Sequence, residues 1–166
     1  MTMLTDEVRA FIGREATYTA PEELGRAAIR YFALAIGDDN AVYIDDEAAR
    51  DAGHSSVIAP PTMICESNQY LHREPDENGF IGHTWNLPVA NARLIRGGND
   101  YEFHRAVLPT DRITVTWFIE DIREKASADG VPMLVVTSVA LYHNQDGEQL
   151  ATNTETLIYQ SMDGAG

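Results

Sequence analysis

IAPPTMICESNQYLH, residues 58–72, sets two prolines ahead of an apolar run with helical spacing. Pro61 suits the first helical position, where a missing N–H costs nothing, and Pro60 keeps the residue before it extended. The pattern predicts a helix over 61–72. Met63, Ser67, Tyr70 and Leu71 recur at i, i+4, i+7 and i+8, and Ile64 pairs with Leu71, so one side is expected to be buried along its length. Glu66, Asn68 and Gln69 interrupt the other sides. Two readings stand at this point: an ordinary amphipathic core helix, or a helix whose first amides, around Thr62 and Met63, face a ligand carbonyl or anion.

Downstream the period changes from helical to two. VANARLI (89–95) passes through Gly97-Gly98-Asn99-Asp100, a turn or bulge signal, into YEFHRAVL, where Tyr101, Phe103 and Arg105 alternate with Glu102, His104 and Ala106. Pro109-Thr110-Asp111 makes a corner before a strand over 113–125 with Ile113, Val115, Trp117 and Ile119 on one face. A strand over 131–143 follows, Asn144-Gln145-Asp146-Gly147 turns the chain, and residues 149–160 return. The polar run 73–83 before these strands reads as a long loop.

Upstream the chain is helix-rich. Leu4, Val8, Phe11 and Ile12 outline a short helix over 3–13 that Gly13 ends, and Thr17-Tyr18-Thr19 favours a strand. Pro21-Glu22-Glu23 opens a predicted helix over 21–36, with Leu24, Ala28, Tyr31, Phe32, Ala35 and Ile36 as its buried face. Gly37 closes it. A polar turn over 37–45, a short helix over 46–51 and an extended HSSVIAPP segment then deliver the chain to residue 61. Helices first and antiparallel strands after describe an α+β domain, read as one unit over 1–166 with its core at about 17–160 and residues 161–166 as a frayed tail.

Composition narrows the function. Twelve Lys and Arg face 26 Asp and Glu, a net charge of −14, which disfavours a nucleic-acid or anionic-membrane partner. The chain has no apolar run of the roughly 20 residues that cross a bilayer, and its charged first residues carry no secretory pattern, so the cytoplasm is the expected location. Cys65, the only cysteine, excludes an intramolecular disulfide and reads as a core residue. The five histidines, His54, His72, His83, His104 and His143, show no metal-ligand spacing, and no nucleotide-binding glycine motif is present. No cofactor is expected. Arg93, Arg96, Arg105 and Arg112 lie along the strands, either as a positive rim or as partners of nearby carboxylates.

Four pieces in order, AIGDDNAVYIDDEAARDAG, VIAPPTM, YEFHRAVLPTDRITV and NQDGEQLATNTETLIY, resemble the MaoC-like (R)-specific enoyl-thioester hydratase/dehydratase family, and within it the fatty-acid-synthase-type N-terminal dehydratase domain. The resemblance runs from about Thr17 to Tyr159. It implies a hotdog fold, an antiparallel sheet wrapped around the 61–72 helix, used in pairs so that an acyl-thioester tunnel forms between two units. Catalytic members carry Asp and His five positions apart in a GD-x-N-P-x-H loop. Those positions fall on Asp38 and Tyr43, with Asn40 in place and Ala41 where the family has Pro. The family's FxxPxxxGD pattern is likewise altered at Ala106 and Thr110.

In such a hydratase the Asp and His share one water, which adds at Cβ as a proton reaches Cα, while amides at the central helix hold the thioester oxygen. A phenol with an ordinary pKa near ~10 is a poor base at neutral pH. The resemblance therefore implies a degenerate site at Asp38, Asn40 and Tyr43, and substrate contacts at Ala59, Pro60, Thr62 and Met63. It implies a hydratase or dehydratase subunit for a CoA or acyl-carrier thioester, paired with a MaoC-like partner that supplies the Asp/His pair. Alternatives are a self-sufficient homodimer using another histidine, and an acyl-thioester-binding module or hotdog thioesterase.

Overall fold

Residues 2–163 are described by the computed structural model, so the last part of the expected tail, 164–166, lies outside the described residues. The rest of that tail is tied down. Ser161 belongs to the last strand and the Met162 amide donates to the Asn91 carbonyl at 2.8 Å.

One five-stranded antiparallel sheet forms the body, in the order β1 (Glu15–Thr19), β3 (Thr114–Ala126), β4 (Pro132–His143), β5 (Gln149–Ser161), β2 (Ala92–Phe103). The alternation expected for β3 holds: Ile113, Val115, Trp117 and Ile119 are all buried. The two segments expected around GGND are one strand, with a bulge between Arg96 and Gly98 opposite Leu157 and Thr156. Glycine is needed there, because a Cβ on Gly97 would lie 2.9 Å from Thr156 Cγ2 and Gly98 has φ +148°. The strand ends at Phe103, earlier than the alternation of 101–106 implied, and His104 to Ile113 is irregular.

The inner face of the sheet carries two apolar clusters. In one, Ala59, Met63, Ile64 and Tyr70 pack against Ile113, Val115, Trp117, Ala140 and Tyr142, so the 61–72 segment is sheathed as expected. In the other, Val8 and Leu87 cover Ile119, Ile122, Leu134, Val136 and Leu157. Val8 sits on α1 (Asp6–Arg9), which is shorter than the 3–13 helix expected.

The central segment is not one α-helix. It forms two 3₁₀ pieces, Pro61–Glu66 and Asn68–Tyr70, broken at Ser67 (φ −90°, ψ −150°). Gln69, expected on an outer side, is buried and replaces the lost backbone bonds: its Nε2 donates to the Ile64 carbonyl at 2.9 Å, and its Oε1 accepts from Ser67 Oγ at 2.6 Å. Leu71, expected inside, is exposed. Ser67 and Asn68 favour such local side-chain bonds over a continuous helix. Their propensity penalty, about 0.5 kcal/mol each, is outweighed by burying Ile64, worth roughly 1.5–3 kcal/mol.

The second helix also departs from expectation. α2 spans Arg26–Ile36, because the amides of Leu24 and Gly25 donate to the carbonyls of Asp111 and Pro109 at 3.0 and 2.8 Å and hold 21–25 outside the helix. Its inner face is Ile29, Ala33 and the half-buried Phe32. Ala28, Tyr31, Ala35 and Ile36 face outward, Tyr31 at 70% and Leu34 at 68% exposure.

Candidate functional site

The loop expected to carry the reacting groups begins where α2 stops. Gly37 takes the left-handed conformation (φ 72°), and the Asp38 amide closes the helix end on the Ala33 carbonyl at 2.9 Å. Asp38 Oδ1 accepts from the Asn40 amide at 3.1 Å, and Asn40 Oδ1 accepts from the Val42 amide at 3.2 Å, capping the 3₁₀ turn Ala41–Tyr43. Asn40 therefore shapes the loop. Tyr43 turns inward and is buried, and its phenol lies within the electrostatic reach of the Asp38 carboxylate. Burial first and then the Asp38 charge raise the phenol above its ordinary value. The pair is a protonated donor beside an acceptor.

Backbone bonds join this loop to the central segment. The Ile58 amide donates to the Val42 carbonyl at 3.1 Å, and the Ala59 amide to the Val107 carbonyl at 2.8 Å. Tyr43, Ala59 and Met63 consequently share one core cluster. A cavity of about 230 Å³ lies at the start of the segment, lined by Ile58, Ala59, Pro61, Phe103 and residues 104–107. Of the expected contact residues, Ala59 lines it, Pro60 and Met63 are buried behind, and Thr62 is exposed. The Met63 amide is already engaged with the Pro60 carbonyl at 2.9 Å. Thr62, at the second position of the 3₁₀ turn, has no intrahelical acceptor for its own N–H.

The residues contributed by the end of β2 were missed, because strand alternation marks which side a residue faces and not which cavity it meets. His104 is among them; its Nε2 lies 3.0 Å from Thr152 Oγ1 and its Nδ1 3.8 Å from Glu102 Oε1. Among the described residues no hydrogen bond or ion pair links Asp38 to a histidine.

Two of the four arginines meet carboxylates and two meet uncharged acceptors. Arg96 faces Glu155 at 3.6 Å, Arg105 meets Asp111 at 3.2 Å and Glu148 at 3.4 Å, Arg93 donates to Gln160, and Arg112 donates to the Ala20 carbonyl. Among the described residues no group of three or more His, Cys, Asp or Glu side chains gathers as a metal set, and no helix is long and apolar enough to cross a membrane.

Comparison with known proteins adds the following. The sequence profile of the FAS1-like dehydratase domain region matches residues 10–153. A UPF0336 protein of Streptomyces avermitilis is 33% identical over 93% of this chain and 96% of its own length. A protein of Thermomonospora curvata named probable enoyl-CoA hydratase alpha subunit is 33% identical over 78% of this chain, which spans 43% of that protein. Among solved structures, a chain of the ChsH1–ChsH2 complex from Mycobacterium tuberculosis superposes with a TM-score of 0.72 at 22% identity, covering 95% of this chain and 94% of that one.

Proposed function

From the premise that this chain belongs to the FAS1-like dehydratase-region family of MaoC-like hotdog proteins, we propose that it is one subunit of an enoyl-thioester hydratase or 3-hydroxyacyl-thioester dehydratase. In this reading it supplies dimer surface and part of the acyl groove, while a related partner supplies the Asp/His pair. The observation that carries it is the Asp38–Tyr43 pair. Hydration at Cβ needs a group that takes a proton from water as the C–O bond forms and returns one to Cα. A buried phenol held protonated against a carboxylate donates readily but does not abstract.

Other features support a partnered subunit. β2 is an edge strand with Leu94 and Phe103 exposed, and α2 leaves Tyr31, Leu34 and Ile36 uncovered. The Thermomonospora relative is named as a subunit, and the Mycobacterium neighbour is a complex of two named components. The ligand is an acyl thioester of CoA or a carrier protein, lodged in the cavity that Ala59 and Pro61 line at the start of the central segment.

The purified chain alone is expected to leave crotonyl-CoA unhydrated, with turnover returning when a MaoC-like companion co-purified from the native host is added. Enzyme-like turnover by the chain alone, lost on Asp38→Asn, would overturn the reading. A second reading, a self-sufficient homodimer, is favoured by one observation: His104 lines the same cavity as Ala59 and Pro61. It requires activity of the chain alone that His104→Ala abolishes.

A further inference from the structure

The sheet ends in one long open edge. β2 stands last in the strand order, and ten of its twelve residues are exposed. Among the described residues the backbone of 92–103 bonds to β5 alone, so the polar groups along its outer side are free to pair with another strand. The strand at the opposite edge, β1, is only five residues long.

Charges on an edge strand usually guard it, but those on β2 are sorted by sign. Arg93 and Arg96 precede the Gly97-Gly98 bulge, and Asp100 and Glu102 follow it. The strand is therefore balanced in a chain whose net charge is −14, so it is a place where a second equally acidic molecule can approach. Arg93 donates to the uncharged Gln160 side chain, and among the described residues neither Arg93 nor Asp100 has an ion-pair partner. Glu102 meets only His104, at 3.8 Å.

The bulge decides which of these side chains share a face. Arg93 and Glu102 are nine positions apart, an odd count that would set them on opposite faces of a regular strand. The extra residue reverses that. Arg93 lies opposite Gln160 and Glu102 opposite Thr152, and those two are eight positions apart on β5, so Arg93 and Glu102 project from the same face. Leu94 and Tyr101, opposite Tyr159 and Asn153, share the other face.

We propose that β2 is the surface on which a second copy of this chain docks, the two strands running antiparallel about a two-fold axis between Gly97 and Gly98. Arg93 then stands opposite Glu102 of the partner subunit, and Leu94 opposite Tyr101 of the partner subunit, each pair occurring twice. Asp100 lies diagonal to Arg93 of the partner subunit. A parallel copy in the same register would set like charges together, and a uniformly acidic strand would satisfy Arg93 and Arg96 alone. The pairing rests on the pattern of the strand and not on the acyl-thioester reading; the related companion of that reading would compete for the same edge.

The test is analytical ultracentrifugation of the full chain over a dilution series. The unmutated chain is expected to be a dimer. Arg93→Glu and Glu102→Arg each set like charges opposite one another at two places, so each is expected to weaken the dimer roughly tenfold. Both substitutions in one chain should return the dissociation constant toward its original value, and an equimolar mixture of the two single variants should form a mixed dimer. Amide hydrogen exchange of the unmutated chain is an independent readout: β2 amides on the open edge should be protected above the dissociation constant and exchange freely below it. A chain that is monomeric throughout, a dimer that both single variants leave intact, a loss that the double variant does not recover, or β2 amides that exchange alike at both concentrations would overturn the proposal.

Discussion

The indole Nε1 of Trp117 donates a 3.0 Å hydrogen bond to the phenolic oxygen of Tyr70, joining the middle of the sheet to the end of the central segment. Both side chains are buried, Tyr70 at 2% and Trp117 at 6% exposure. Tyr70→Phe keeps the ring and leaves the indole N–H without that acceptor. The expected loss is about 1–3 kcal/mol of stability, read from the midpoint of urea unfolding at unchanged slope. A change within error would show that this bond does not secure the segment.

The corner after β2 depends on one carboxylate. Asp111 is 2% exposed and accepts from the Leu108 amide at 2.7 Å, from Asn144 Nδ2 at 3.2 Å and from Arg105 at 3.2 Å. Asp111→Ala removes all three and leaves the half-buried Arg105 with only the exposed Glu148. A loss of about 3–5 kcal/mol is expected, and Arg105→Gln, which leaves the backbone and Asn144 bonds in place, should cost less. Equal losses in thermal unfolding would place the effect in the ion pair alone.

His83 makes stability depend on pH with a definite sign. In the unfolded chain its imidazole binds a proton below about 6.5, whereas in the fold it resists protonation until about pH 4. The folded form thus carries fewer protons between those values, so the contribution is whole above 6.5 and lost as pH falls through 4. Its size is on the order of 3 kcal/mol. The charged and titratable groups around the ring are Arg73, Tyr18, Glu155, Tyr159 and Arg96. Unfolding scans from pH 7 to pH 4 should fall less steeply for His83→Phe than for the unmutated chain, and parallel curves would contradict this.

Tyr43 should titrate above an ordinary tyrosine in an alkaline ultraviolet difference spectrum, because burial and the Asp38 carboxylate both oppose the phenolate. Asp38→Asn removes the charge and is expected to move one tyrosine back toward the ordinary value. No movement would mean that the two side chains are not coupled.

Much of the sheet was legible because a strand's alternation is local. Ile113, Val115, Trp117 and Ile119 declare their inner face without reference to any other element, and Asp146-Gly147 declares its turn. α2 was misread for the opposite reason: AAIRYFALAI is apolar on nearly every side, so its periodicity admits more than one buried face. Docking through Ile29 and Ala33 made the choice.

By itself, then, the order of residues determined the α+β class, the long β3, β4 and β5 strands, and the burial of the segment begun by Pro61. Only tertiary structure decided that this segment breaks at Ser67 around Gln69, and that His83 stacks on Trp117 and meets the Tyr18 hydroxyl. The physical reason is range. Alternation, proline starts and turns act between neighbours in the chain, whereas the surroundings of His83 bring together Tyr18 of β1 and Trp117 of β3, far apart in the sequence.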